Sequence, residues 1–210
     1  VTVLNRIAHF QNRRDEVPNQ ELARELVESK DNAGIREIAE NLWNEDRNVA
    51  NDCIKVLYEI GYINPELIAD YVGDFLKLMQ SKHNRLVWGA MLALSTIAAL
   101  KADEIYTHRE EVMKVMNQGS VITVDNGVKI LAVVASRNEA YGREIFPYLL
   151  NHLQTCRPKD VPQHSEKTIV AVNADNKHDF IVVLEKRMED LQGAQVTRVK
   201  KVIREAQFSD

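Results

Sequence analysis

The sequence predicts an all-α fold, an α-α superhelix built as a solenoid of about five helical hairpins. Three observations point to it. Apolar residues recur every 37 positions: Leu57, Leu94 and Leu131; Ile60, Ile97 and Val134; Ile54, Met91 and Val128. The same interval runs through the helices that precede them, in Ile38, Phe75, Val112 and Leu149 and in Leu42, Met79, Met116 and Leu153. A period of this size marks stacked helical pairs, each burying its apolar face on its neighbours. Between positions 49 and 60, columns 50, 54, 56, 57 and 60 are apolar in three successive units. At 45% apolar residues, chance gives roughly one such column in eleven, so the coincidence is structural.

The elements follow in order. Residues 1–31 form an atypical N-terminal pair, with helices expected over 5–12 and 19–29 and a start signal at Pro18-Asn19. Regular repeats occupy 32–173. Each has a first helix, a short loop and a second helix: 32–43 with 48–61, 64–80 with 84–100, 103–117 with 121–136, and 138–155 with 163–173. Asn64-Pro65 is a strong helix start, because proline at the first helical position gives up no hydrogen bond. A capping pair, 176–191 and 195–207, closes the chain within 174–210. No loop is long enough to suggest a linker, so residues 1–210 are expected to form one domain.

Composition narrows the function classes. The net charge of −4 argues against a dedicated binder of nucleic acid or anionic membrane. The most apolar stretch, 86–100, is too short to span a bilayer. The two cysteines, Cys53 and Cys156, make no disulfide framework, so a reducing, cytoplasmic location is expected. The chain opens at Val1. Either its initiator methionine is removed or its N-terminus is trimmed, and a trimmed domain could carry chemistry of its own. Oligomeric state is left open.

The segment 42–61 carries a family likeness. Leu42 closes a first helix, Glu45-Asp46 forms an acidic turn, Val49-Ala50 opens a second helix, and Ile60-Gly61 ends it. This resembles a HEAT repeat, an armadillo-like unit in which Val-Arg usually opens the second helix. Here Ala50 replaces that arginine, and later units depart further, with Leu86-Val87 and Thr123-Val124. The likeness extends over about 32–173. It implies a right-handed superhelix whose second helices line a concave side, and a role in binding other macromolecules.

A helical wheel locates the expected site. Positions 50, 53, 54, 57, 60 and 61 share one arc, apolar or small in all three units, and face the core. The opposite arc holds Asp52, Lys55 and Tyr58; then Trp88 and Leu92; then Asp125, Lys129 and Val133. Trp88 and Leu92 are four apart and share a helix face. An apolar anchor rimmed by charge is the pattern of a partner-binding hot spot. Gly89 beside Trp88 is either a notch for a ligand or a packing requirement. A second, basic edge is expected at Lys82, His83 and Arg85. The run Arg198, Lys200, Lys201 and Arg204 reads as the wet face of a terminal helix.

No Gly-rich phosphate loop, nucleophile elbow or paired-histidine helix motif is present. His152, Cys156 and His164 are soft ligands, but their spacing matches no common zinc module and a fourth ligand is missing, so no metal and no cofactor are expected. The expected function is a non-enzymatic scaffold binding a protein or peptide. The alternative is a HEAT-like DNA-binding protein or a DNA glycosylase for alkylated bases, with Asp52 or Asp125 beside Trp88. It is disfavoured by the acidic total, because base excision needs a firm phosphate grip.

Overall fold

The computed structural model describes residues 2–209. They form twelve α-helices joined by short loops and 3₁₀ turns, with no strand among the described residues. The helices are α1 Val17–Ser29, α2 Asn32–Glu40, α3 Arg47–Ile63, α4 Val72–Leu78, α5 Asn84–Ile97, α6 Ala102–Thr107, α7 Arg109–Gln118, α8 Val121–Arg137, α9 Glu139–Thr155, α10 Val161–Thr168, α11 Lys177–Arg187 and α12 Ala194–Gln207. The chain divides into two compact units, Val1–Asn126 and Gly127–Asp210, and the division falls within α8.

Local chemistry sets the helix starts. The Asp31 carboxylate accepts from the Gly34 N–H at 2.9 Å and opens α2. Asp46 accepts from the Asn48 N–H at 2.8 Å and opens α3, and Asn138 accepts from the Ala140 N–H at 2.8 Å and opens α9. Each satisfies a donor that the first turn leaves without an intrahelical partner.

In the first unit, hairpins α2–α3 and α4–α5 stack so that α1, α3 and α5 pack side by side. In the second unit, α9 packs on α11 and α10 on α12, with α9–α10 and α11–α12 as the hairpins. First helices meet first helices and second meet second, which is the solenoid pattern. The repeat columns are the core. Ile38, Phe75, Val112 and Leu149 are each 0% exposed, as are Leu57, Leu94 and Leu131.

Three expected helices differ. Residues 5–12 form a 3₁₀ turn at Leu4–Arg6 followed by turns, with Asn12 left-handed at φ 52°. Tertiary hydrogen bonds fix this path: the Ala8 N–H donates to Asn19 Oδ1 at 2.9 Å and the His9 N–H to Asp52 Oδ2 at 2.7 Å. The span 64–80 begins as two 3₁₀ turns before α4. The span 103–117 breaks at His108, whose Nδ1 lies 3.0 Å from the Glu104 carbonyl while its own N–H donates to the carbonyl of Ile105. The ring stands at the acceptor that a continuous helix would use.

Candidate functional site

The predicted core arc of α3 is buried throughout, from Ala50 to Gly61. The opposite arc is less open than expected. Every residue of it on α3, α5 and α8 is buried or half-buried. Tyr58 and Lys55 are each 5% exposed, while Asp52, Trp88, Leu92, Asp125, Lys129 and Val133 are half-buried.

The reason, in the first unit, is the close approach of α3 and α5. A Cβ at Gly89 would stand 2.9 Å from Ile54 Cγ1, and one at Gly61 would stand 2.2 Å from Thr96 Oγ1. Gly89 is therefore a packing residue, not a ligand notch. Across this approach, Tyr58 of α3 and Trp88 of α5 are in contact.

Lys55, Tyr58 and Trp88 meet there. The Trp88 ring packs on the Tyr58 ring with centroids 6.3 Å apart, and the Arg85 guanidinium lies 5.7 Å from the Trp88 centroid. Lys55 Nζ sits 4.8 Å from the Tyr58 centroid. Tyr62, one turn beyond Tyr58, contacts it edge-on at 5.9 Å and is 53% exposed. Glu16, at the start of α1, closes the cluster: its carboxylate is 2.8 Å from Lys55 Nζ and 3.6 Å from the Arg85 guanidinium. Glu59 accepts a second bond from Lys55 at 2.5 Å. Burial opposes the charge on Lys55, but its hydrogen bonds to Glu16 and Glu59 outweigh that and hold its pKa above the usual range. Burial raises the Tyr58 and Tyr62 hydroxyls.

Two expected orienting charges thus have internal partners. Lys55 is buried in an ion-paired triad, and Asp52 accepts from the His9 N–H at 2.7 Å and from Asn19 Nδ2 at 2.9 Å. Asp52 tethers the N-terminal segment to α3. On the expected basic edge, Lys82 and Arg85 are exposed, while His83 is half-buried at the start of α5. Beside Lys82 lies a cleft of about 410 Å³, lined by Asn84, Val87, Glu111, Lys114 and Gln118.

Sequence reasoning missed Tyr62 and Glu16 and placed Arg85 on a separate edge. The spacing of Tyr58 and Tyr62, four apart on one helix, was a usable signal. The contact of Glu16 with Lys55 spans 39 residues and had none. On the terminal helix, Arg198 pairs with Glu166 at 2.6 Å, and Lys201 lies 3.8 Å from Glu205. In the second unit, His152, Cys156 and His164 converge, although their spacing matches no common zinc module.

No protein-family profile matches the chain, and no curated protein matches it. Among solved structures, an engineered protein from the Northeast Structural Genomics Consortium superposes with a TM-score of 0.69 at 16% identity, covering 99% of this chain and 97% of that one. A designed armadillo repeat protein in complex with the peptide (KR)4 gives 0.70 at 16% identity, covering 89% and 86%. Computationally designed armadillo repeat proteins for modular peptide recognition give 0.68 at 16%, also covering 89% and 86%. At this identity the likeness is one of fold. No helix among the described residues is long and apolar enough to cross a membrane. The helix order, the stacking of like helices within each unit and these superpositions together make the chain an armadillo/HEAT-like helical-repeat solenoid.

Proposed function

We propose that the chain is a non-enzymatic scaffold that binds an extended segment of a partner protein on the α3–α5 face of its first unit. One observation carries this reading. Trp88 is half-buried, in contact with the Tyr58 ring and the Arg85 guanidinium, with the exposed Tyr62 at the same cluster. An aromatic anchor fixed by its neighbours loses little freedom on binding, and Trp, Tyr and Arg dominate interface energetics. Leu92 continues the surface one turn along α5. Arg85 and Glu16 supply the polar rim, in place of Asp52 and Lys55. Asp125, Lys129 and Val133 stand at the matching register of α8 and are secondary candidates. The chain acts as one scaffold over 1–210, a reading supported by a division that falls inside a helix and not in a linker. A cytoplasmic setting fits its two free cysteines. The DNA alternative draws no support from this face, where carboxylates already neutralise Lys55 and Arg85.

The test is a display selection of peptides against the full chain, followed by calorimetry. Trp88→Ala is expected to weaken the selected peptides by about 2 kcal/mol, roughly 30-fold in Kd, with helical circular dichroism unchanged. Equal affinity in the folded variant contradicts the anchor.

A further inference from the structure

We propose that His152, Cys156 and His164 form a zinc-binding site in the second unit, with a water molecule as the fourth ligand. His152 lies in the last turn of α9, Cys156 caps that helix, and His164 comes from α10. The candidate donor atoms all lie within 4.8 Å of one another. His152 Nε2 and His164 Nδ1 are 3.0 Å apart, and the two ring centroids 4.9 Å. Tetrahedral zinc, with Zn–N near 2.0–2.1 Å and Zn–S near 2.3 Å, requires donors about 3.3–3.6 Å apart. The histidine pair is close to that separation already. The thiol needs to close by about 1 Å, within reach of a side-chain rotation.

The surroundings hold the donors in place. His164 is 1% exposed, so its ring is fixed by packing. The backbone of Cys156 is held at both ends: its N–H donates to the His152 carbonyl at 2.8 Å, and its own carbonyl accepts from the buried Arg187 guanidinium at 2.8 Å. Arg187 also donates to the Leu153 carbonyl at 2.6 Å, which locks the last turn of α9 that carries His152. The thiol donates only weakly to the Leu153 carbonyl, at 3.8 Å. On binding, zinc takes the thiolate and one nitrogen of each imidazole. The S–H bond breaks and its proton leaves to solvent; the ring that donates the ring-to-ring hydrogen bond gives up that proton and is reprotonated on its other nitrogen, so that two Zn–N bonds replace the hydrogen bond. Two nitrogens and one sulfur suit zinc and its spectroscopic stand-in cobalt(II), not calcium or magnesium.

Titration of the full chain with Co²⁺ tests the site. The expected result is one ion per chain and a near-ultraviolet thiolate-to-cobalt charge-transfer band, both displaced by Zn²⁺. The band should survive in Cys53→Ala and vanish in Cys156→Ser. Cys156→Ser should also weaken Zn²⁺ by more than about 100-fold, beyond the loss typical of removing an outer-shell partner. His152→Asn, at a half-buried position, should lose affinity without unfolding. A wild-type chain with no thiolate band, or a band that persists in folded Cys156→Ser, overturns the proposal.

Discussion

Arg187 shows how one side chain can close a helix. Only 7% exposed, it donates to the carbonyls of Leu153 and Cys156 and holds the Asp190 carboxylate at 2.9 Å. The last carbonyls of α9 have no intrahelical donor, and leaving them unsatisfied in a buried place carries a full desolvation cost. Arg187→Met is therefore expected to destabilise the protein by about 3 kcal/mol, read as a lower urea midpoint with an unchanged slope. Arg187→Lys should restore only part of this, because an ammonium cannot serve two carbonyls and a carboxylate in one plane. A loss below about 0.5 kcal/mol for the methionine variant would mean that other donors reach those carbonyls. Nothing in the sequence marked Arg187. The carbonyls it serves lie 31 and 34 residues away, and an arginine three residues before an aspartate reads as a solvated surface pair.

At the scale of elements, the approach of α3 to α5 shapes the proposed binding face. Gly89→Ala gains about 1 kcal/mol in helix propensity but drives a methyl into Ile54 at 2.9–3.0 Å. Overpacking of this kind costs about 1–3 kcal/mol, so a net loss is expected in thermal or urea unfolding. The cost should shrink in an Ile54→Ala background, because the two changes share one contact. Additive effects would place the strain elsewhere. The pair Glu166–Arg198 links α10 to α12, with side chains 41% and 49% exposed. The Arg198 hydrogen bond holds the Glu166 carboxyl below its usual range. Its contribution is therefore present above the ordinary glutamate pKa, about 4.3, and lost as pH falls below that value. Exposure keeps it under about 1 kcal/mol. Arg198→Ala should therefore lower stability at neutral pH by less than about 1 kcal/mol, leave the most acidic point nearly unchanged and so flatten the acid limb slightly, as a series of unfolding curves from pH 3 to 7 would show.

Over the whole molecule, the helices were legible because burial has a period. Columns such as Ile38, Phe75, Val112 and Leu149 announce stacked hairpins without any long-range information, and all four are fully buried. The expected boundaries of α3, α5, α8, α9 and α12 hold to within three residues. The proposed binding face was legible only by address. The wheel found Trp88, Tyr58 and Lys55, but a wheel treats each helix alone. It cannot register a neighbour close enough to bury Tyr58, or a Glu16 that neutralises Lys55 from a distant segment. The N-terminal turns failed for the same reason: Asn19 and Asp52 override the helical preference of 5–12 through contacts between segments. Local pattern gives the elements, and contact between elements gives the surface.

The central claim is that Trp88, on the α3–α5 face, is where a partner is held. The chain has two tryptophans, and Trp43 is an internal reference: it is 45% exposed, with its indole N–H 3.2 Å from Asp74 and Lys77 over its ring. Labelling with 5-fluorotryptophan gives one fluorine resonance for each. Titration with a selected peptide is predicted to shift or broaden the Trp88 resonance, identified by its absence in Trp88→Phe, while the Trp43 resonance stays in place. A bound peptide that moves Trp43 and leaves Trp88 unchanged would contradict the account.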